Sequence, residues 1–576
     1  MRRVLKSFSV VLTLLILLSK LSFSQDLGAI GQKDQLNVTG GISTNQVYYN
    51  AFGADQRRDP YNYFLTGNIN FNIYGWNVPF SYTYSNQNSS FQQPFNQYSM
   101  HPYYKWVKAH IGYTSMTFSP YTLSGHLFYG AGLELTPGDK FKIEMMYGRL
   151  NKAVNYDSIA KNNIPTYKRT GYGLKLGYNL KTGVIETMFF RSKDESGSLD
   201  SSLFPADLNL TPEENLVLSV KTNQKVYKGF SLSFEYSASA ITKDTRLGDS
   251  TSQANNIFKY VGPFFNANNS SSYYNAFNAG LQYSFNVSSL SLRYERIDPE
   301  YQTHGAYYFT NDLENIAINA TTALFKQKVN IGANVGIQRD DIDNQKMSSM
   351  QRVVSSFNVG INAWEKFNIS LAYSNFQSYT NIKSQYDRLT ELTPYDNLDT
   401  LNFTQISQNA NANIGYNIKN TESIRQQLNL NVSYQKAADK QGTSNTNAGS
   451  DFINLNTAYS HSVVPLTLSV TLAANYNRSN SVNLVTEMFG PTLAINKSFF
   501  DKLLRSNISV TWNNAYSNSA LTSRVISVRF TNSVNYKKQH SINLSLVYVN
   551  RHNPLAEITK DFSEFTATLG YNYNFR

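Results

Sequence analysis

The chain ends on Phe565-Thr566-Ala567-Thr568-Leu569-Gly570-Tyr571-Asn572-Tyr573-Asn574-Phe575-Arg576, and these residues decide the fold. Every second side chain is apolar or aromatic: Phe565, Ala567, Leu569, Tyr571, Tyr573, Phe575. The residues between them are small or polar. A strand sends alternate side chains to opposite faces, so the stretch has one oily face and one wet face. A helix would scatter both sets around its circumference.

The same alternation recurs back along the chain. Its oily faces read Phe230, Leu232, Phe234, Tyr236; Phe277, Ala279, Leu281, Tyr283, Phe285; Phe367, Ile369, Leu371, Tyr373; Leu428, Leu430, Val432, Tyr434; and Ile542, Leu544, Leu546, Tyr548. Many close on Tyr, which holds an amphipathic ring at a fixed height. The final stretch resembles the closing strand of Gram-negative outer-membrane β-barrels, with Tyr571, Tyr573 and the penultimate Phe575 carrying the likeness. Arg576 beyond the last aromatic departs from that pattern. The resemblance implies that the barrel assembly machinery reads these three residues as an assembly signal. It also implies outer-membrane lipid and lipopolysaccharide as surroundings.

Composition agrees with that class. The 576 residues include 41 Tyr and 35 Phe, yet mean hydropathy is −0.40. Such a balance suits an aromatic outside around a polar inside. No run reaches the roughly 18 apolar residues that a spanning helix needs. Cys is absent, which excludes a disulfide framework and Cys metal sites. The formal charge is +12, but no basic cluster sits within a nucleic-acid motif, so no nucleic-acid partner is expected. Residues 1–24 read as a secretory signal: Arg2, Arg3 and Lys6, then apolar Val10 to Leu18, then Ser22-Phe23-Ser24 before Gln25. Removing it takes away Arg2, Arg3, Lys6 and Lys20, leaving +8. Residues 25–34 form a short periplasmic tail, and 35–576 form the barrel.

Connections carry as much information as strands. Short turns fall at Gly75-Trp76, Thr136 to Asp139, Lys181-Thr182, Tyr227-Lys228, Val287-Ser288, Gln327, Glu365, Lys419-Asn420, Val464-Pro465, Ser498 to Leu503 and Lys537-Lys538. Between them lie connections that are usually longer, such as Asn151 to Lys168, Ser192 to Glu213 and Asp298 to Glu314. Tight periplasmic turns alternating with long outer loops is the habit of outer-membrane barrels. Direct counting gives about 25 strands. A strand at Gln92 to Ser99, turning at Met100-His101-Pro102, restores parity and makes about 26, with both termini periplasmic; 24 is the second choice. The fold class is therefore all-β, a single large transmembrane antiparallel barrel.

Charged residues on the wet faces belong to the lumen, because a charge facing lipid at mid-bilayer costs about 2–4 kcal/mol. The lumen-facing candidates are Lys142, Glu144, Lys175, Glu235, Arg293, Glu295 and Arg529. No catalytic or metal residues are singled out, and no cofactor is expected. The seven His form no H-x-x-x-H pair, and Ser460-His461-Ser462 lacks a nucleophile elbow. Asp340, Asp341 and Asp343 sit in an outer loop, as a solvated turn or as a divalent-cation site bridging lipopolysaccharide. Asp157-Ser158-Ile159 and Asp399-Thr400-Leu401 resemble acceptors for bacterial O-glycosylation. The Gly-rich run Gly132 to Gly138 reads as close hairpin packing.

A barrel this wide needs filling, since about 22 strands already call for a plug. The tail is too short to be one. Either the long loops fold inward or a partner protein occupies the lumen. The reading that follows is a channel or translocation pore with a polar lumen, not an enzyme. Alternatives are a non-conducting scaffold within an outer-membrane complex and an outer-membrane hydrolase.

Overall fold

A computed structural model describes residues 36–86, 96–156, 165–200, 204–205, 208–248, 262–345, 351–362, 366–375, 408–437, 440–441, 444–445, 449–481, 483–554 and 561–575. The signal, the tail, the turn at Glu365 and both glycosylation motifs lie outside these residues.

One sheet holds 27 strand segments, each antiparallel to its neighbours. Gln97–Met100 and Tyr103–Tyr104 are two pieces of one strand, so the wall has the 26 strands counted from the sequence. Leu36–Phe52 pairs with Phe562–Phe575, from Gly40 opposite Phe575 to Phe52 opposite Ser563. That pairing closes the ring and leaves no sheet edge, the condition for a β-structure to sit in hydrocarbon.

Two turns differ from the sequence reading: Lys419-Asn420 are still paired, with the turn at Thr421 to Ser423, and the turn before Val107–Thr117 is displaced further. The latter is not at Met100-His101-Pro102 but at Lys105-Trp106, with φ of +50° at Lys105. Pro102 has no N–H to give the ladder, so pairing lapses there and resumes at Tyr103, opposite Asn77 and Lys108. Residues 92–95 of the expected strand lie outside the described ones.

Short turns gather on one rim and long connections on the other. Several short turns hold positive φ at both central residues, as at Tyr74 (50°) and Gly75 (87°), or Lys537 (51°) and Lys538 (59°). Turns of that hand match the twist of paired strands. Outward faces carry the exposed rings and aliphatics, among them Tyr236, Leu281, Tyr283, Ile316 and Tyr571. Inward faces fall into two sectors. Strands from Leu313–Leu324 onward, through the closure to Trp76–Ser85, turn mostly Asn, Ser, Thr and Gly inward. Strands from Val107–Thr117 to Ser288–Ile297 turn charges inward, together with an apolar cluster that the expectation of a polar interior had not included.

Candidate functional site

The apolar cluster forms where the chain leaves the wall. After Val107–Thr117 the segment Phe118 to Leu123 bends into the barrel instead of standing above it. Pro120 ends the strand, the Ser119 hydroxyl accepts the Tyr121 N–H at 3.2 Å, and Phe118 N–H donates to Leu123 O at 2.8 Å. The loop thus satisfies its own backbone and turns Phe118 and Leu123 onto Met116, Phe128, Met146, Leu150, Met188, Phe190 and Val217, all buried. Gly173 makes the space, since a Cβ there would stand 2.7 Å from the Phe118 ring.

A second inturned loop crosses the lumen to meet the first. Residues 298–312 leave the wall some 180 positions further along the chain, and Tyr301 O–H donates to Tyr121 O at 2.9 Å. Thr303 O–H donates to Thr122 O at 2.6 Å, and Ser124 N–H donates to Gly305 O at 2.8 Å. A Cβ on Gly305 would lie 2.4 Å from Thr122 O, so only glycine allows this approach. Tyr121 and Tyr301 pack with Ala276 and Ile297 in a second buried cluster, with Phe309 against them. Two loops tied to each other therefore plug one sector of the lumen.

Charges fix the plug to the wall. Arg169 grips Asp194 through two bonds of 2.7 and 2.8 Å and reaches Glu213 at 2.9 Å. Glu213 meets His304 Nε2 at 3.1 Å, and Ser192 O–H donates to His304 Nδ1 at 2.8 Å. His304 N–H donates to Asn215 Oδ1 at 3.1 Å. Burial lowers the His304 pKa and Arg169 adds to that, against the pull of Glu213. Burial alone would raise Glu213, but the hydrogen bond from His304 and the nearby Arg169 hold it below the usual carboxylate range. The neutral Nε2–H tautomer satisfies both ring contacts. The order Ser–His–carboxylate is that of an activated nucleophile, yet Ser192 is 1% exposed and His304 7%. In the structure these contacts latch the loop 298–312 to the wall.

Most lumen candidates from the sequence come together beneath this plug. Lys142 pairs with Glu144 at 2.5 Å, and Lys175 lies 4.0 Å from Glu144 and 2.9 Å from Glu186. Lys175 also donates to Phe118 O at 3.3 Å, a direct tie to the inturned loop. Glu235 accepts from Ser219 at 3.4 Å and lies 3.8 Å from Lys221. Glu295 accepts a hydrogen bond from the Tyr121 hydroxyl and lies 3.6 Å from Arg293. Arg529 stands apart on the far wall, between Ser509 and Val547. Such charges are not isolated ions along a path; those under the plug are paired.

The far wall is different in kind. Asn413, Gln427 and Asn429 belong to the inward set and are exposed, so no described residue covers them. A concave recess of about 870 Å³ follows the same wall near the short-turn rim, lined by Ser43, Asn45, Asn496, Asn507, Asn543 and Asn572 among others.

Not every long loop turns inward. Phe265 and Ala267 lie against Leu216, Ala240 and Phe189, which belong to the outward set. They cover Glu214, fully buried between Arg191 at 2.7 Å and Lys193 at 3.3 Å. This connection drapes over the outside of the wall.

Strand register also places two further histidine sites. His461 faces outward, 3.1 Å from Gln426 Nε2, while Ser460 and Ser462 face inward, so the run forms no dyad. His101 and His110, nine residues apart, meet at 3.0 Å through their Nδ1 atoms, and Glu134 takes the other nitrogen of His110 at 2.7 Å. Register made this contact, which sequence spacing did not reveal. The three groups do not converge on a point, and among the described residues no three His, Asp or Glu could hold a metal. In the acidic loop, Asp341 accepts the Gln345 N–H at 2.8 Å and serves the turn.

A closed wall with oily side chains outside and an amide-lined, watery inside is stable only in a bilayer. The chain is an outer-membrane-type β-barrel. No family model and no curated protein matches it. Among solved structures it is similar to the P pilus usher (PapC) translocation pore, at 10% identity, covering 94% of this chain and 100% of that one, with a TM-score of 0.37. It is also similar to the FrpB iron transporter from Neisseria meningitidis, at 10% identity, 95% and 83% coverage and a TM-score of 0.38. The ferric yersiniabactin uptake receptor FyuA from Yersinia pestis aligns at 11% identity, 95% and 81% coverage and 0.38. Overlaps this loose carry no assignment of function.

Proposed function

We propose that this barrel is a channel whose aperture is set by the plug of residues 118–123 and 298–312, with transport along the opposite wall, lined mostly by Asn, Ser and Thr. The observation that carries this reading is the division of the lumen. One sector is filled by two loops that hydrogen-bond across it, and the other presents exposed inward amides.

Conductance of the detergent-refolded protein in a planar bilayer tests it. Steady openings with a mild preference for anions are expected, because the few charges on the inward face of the open wall, Arg425, Arg505 and Arg529 among them, are mostly cationic. A sealed barrel would defeat the proposal. The same recordings carry a pH arm. Docked His304 has its pKa below the ordinary 6.5, so the released loop binds the proton first. Docking is therefore at full strength above about pH 6.5 and weakens as pH falls below it. Larger openings are expected at pH 5 than at pH 7.5, and His304→Gln should flatten that difference.

A scaffold in an outer-membrane complex is the second reading, favoured by Phe264, 51% exposed on the outward-draped connection. Stoichiometric co-purification of a partner would support it. Tyr571, Tyr573 and Phe575 are proposed as the signal for the assembly machinery. They form a row with His540, whose ring lies 4.9 Å from Tyr573, and Phe575 is 5.8 Å from Tyr573. Phe575→Ser should cut the yield of assembled barrel in cells several-fold, measured as the heat-modifiable band, while changing in vitro refolding little.

A further inference from the structure

The two rims carry opposite charge. Connections of the short-turn rim contain ten Lys, no Arg and four acids. Connections of the long-loop rim contain thirteen Lys or Arg against twenty-two Asp or Glu. The net positive charge of the barrel is thus displaced to one end.

The lysines at that end are not arranged around the lumen. They follow outward-facing apolar residues, as in Tyr104-Lys105, Tyr227-Lys228, Phe325-Lys326 and Tyr536-Lys537. Lys105 Nζ lies 5.1 Å from the centre of the Tyr104 ring, and Lys537 Nζ lies 5.2 Å from that of Tyr536. Tyr104 itself stacks on Trp76 at 5.2 Å, on the lipid-facing side. Phe325 and Phe500 are each 74% exposed, next to or near Lys326 and Lys502. Rings on that side settle at the boundary between hydrocarbon and headgroups. A lysine within one or two residues of such a ring reaches the phosphate layer with its flexible stem. Lys105, Lys228, Lys326, Lys502, Lys537 and Lys538 are all exposed. Among the described residues none of these six has an ion-pair partner.

We propose that the short-turn rim is a binding collar for anionic glycerophospholipid headgroups, and that it fixes the depth and orientation of the barrel in its membrane. Each surface lysine adds a modest attraction to an anionic leaflet, and a ring of them adds up. The alternative occupant is an acidic soluble protein docking from below. The rings argue against it, because they place the lysines beside lipid.

The test uses the full chain refolded into vesicles of phosphatidylcholine mixed with phosphatidylglycerol. After detergent extraction, native mass spectrometry counts the lipids retained. Retained phosphatidylglycerol is expected several-fold above its bulk share, falling with added salt. In the variant with Lys105, Lys228, Lys326, Lys502, Lys537 and Lys538 all changed to Gln, retention should return towards the bulk ratio, with heat-modifiable mobility confirming that the barrel has folded. The salt series on the unaltered protein decides the matter should that variant fail to refold. Retained lipid that mirrors the bulk mixture would overturn the proposal. So would enrichment that survives the six substitutions, or capture of an acidic protein at this rim without lipid enrichment.

Discussion

Single-channel conductance is expected to rise several-fold when residues 299–311 are excised and Asp298 is joined to Asp312 through a short Gly-Ser linker. The excised loop carries Tyr301, Thr303 and Gly305, which make two hydrogen bonds to the other inturned segment and one to Ser124 just beyond it. It also carries His304 and with it the latch to Ser192 and Glu213. The wall itself loses nothing, because Ile297 and Leu313 still pair across the shortened hairpin. What disappears is protein from the middle of the lumen. The gain is several-fold because a barrel of this strand number encloses more space than the 16–18 strands that already make an aqueous channel. The remaining inturned segment, 118–123, keeps its own apolar anchor and should stay in place, so the lumen does not open fully. Heat-modifiable mobility separates an opened barrel from an unfolded one. Unchanged conductance in a folded variant would mean that the loop does not limit the aperture.

The wall was legible in the sequence because its information is local. Period-two alternation fixes which face each residue joins, and the parity of long and short connections fixes how many strands there are. The closing pair follows from the same rule, since Tyr571 and Phe575 lie on the oily face of Phe562–Phe575 whatever its partner. The turn displaced from Met100-His101-Pro102 also has a local cause. Pro102 reads as a turn residue, but here it interrupts a strand that resumes at Tyr103.

The plug was legible only as a requirement. A lumen this wide must be filled, but nothing local says by which segment. Phe118 to Leu123 is among the shorter connections on its rim, so length does not mark it as lumen filling. Its apolar residues find partners on several other strands, and Tyr301 arrives from 180 residues away. Contacts of that kind depend on register and loop path, not on spacing along the chain. The same holds for His101 with His110 and for the Phe265 loop, which goes outward where length alone suggested inward. Charges were half legible. Alternation put Lys142, Glu144, Lys175 and Glu235 on the inner face, but their pairing and their contact with Phe118 needed the neighbouring strands.

The sharpest energetic test of the plug lies at Arg169. Its guanidinium holds two carboxylates, Asp194 and Glu213, and the Asp194 side chain is only 2% exposed. Asp194 in turn accepts the Glu213 N–H at 3.0 Å, which shapes the strand entrance where His304 docks. Arg169→Met leaves Asp194 buried without its cation. Stranding one member of a buried pair costs about 3–5 kcal/mol. The docked loop should bear most of that loss, because Glu213 is freed to water and His304 loses the partner that orients it. Expected results are rapid protease cleavage within 298–312 and a raised conductance, with the wall still heat-modifiable. Replacing both partners, Arg169→Met with Asp194→Leu, removes the stranded charge as well as the bond. That double variant should recover a good part of the loss, since an apolar pair of similar volume replaces many buried ion pairs at little cost. It will not recover all of it, because the Glu213 N–H also loses its acceptor. If the single variant cleaves no faster than the unaltered protein, the ion pair does not hold the loop, and the apolar contacts of Tyr301 and Phe118 must do so alone.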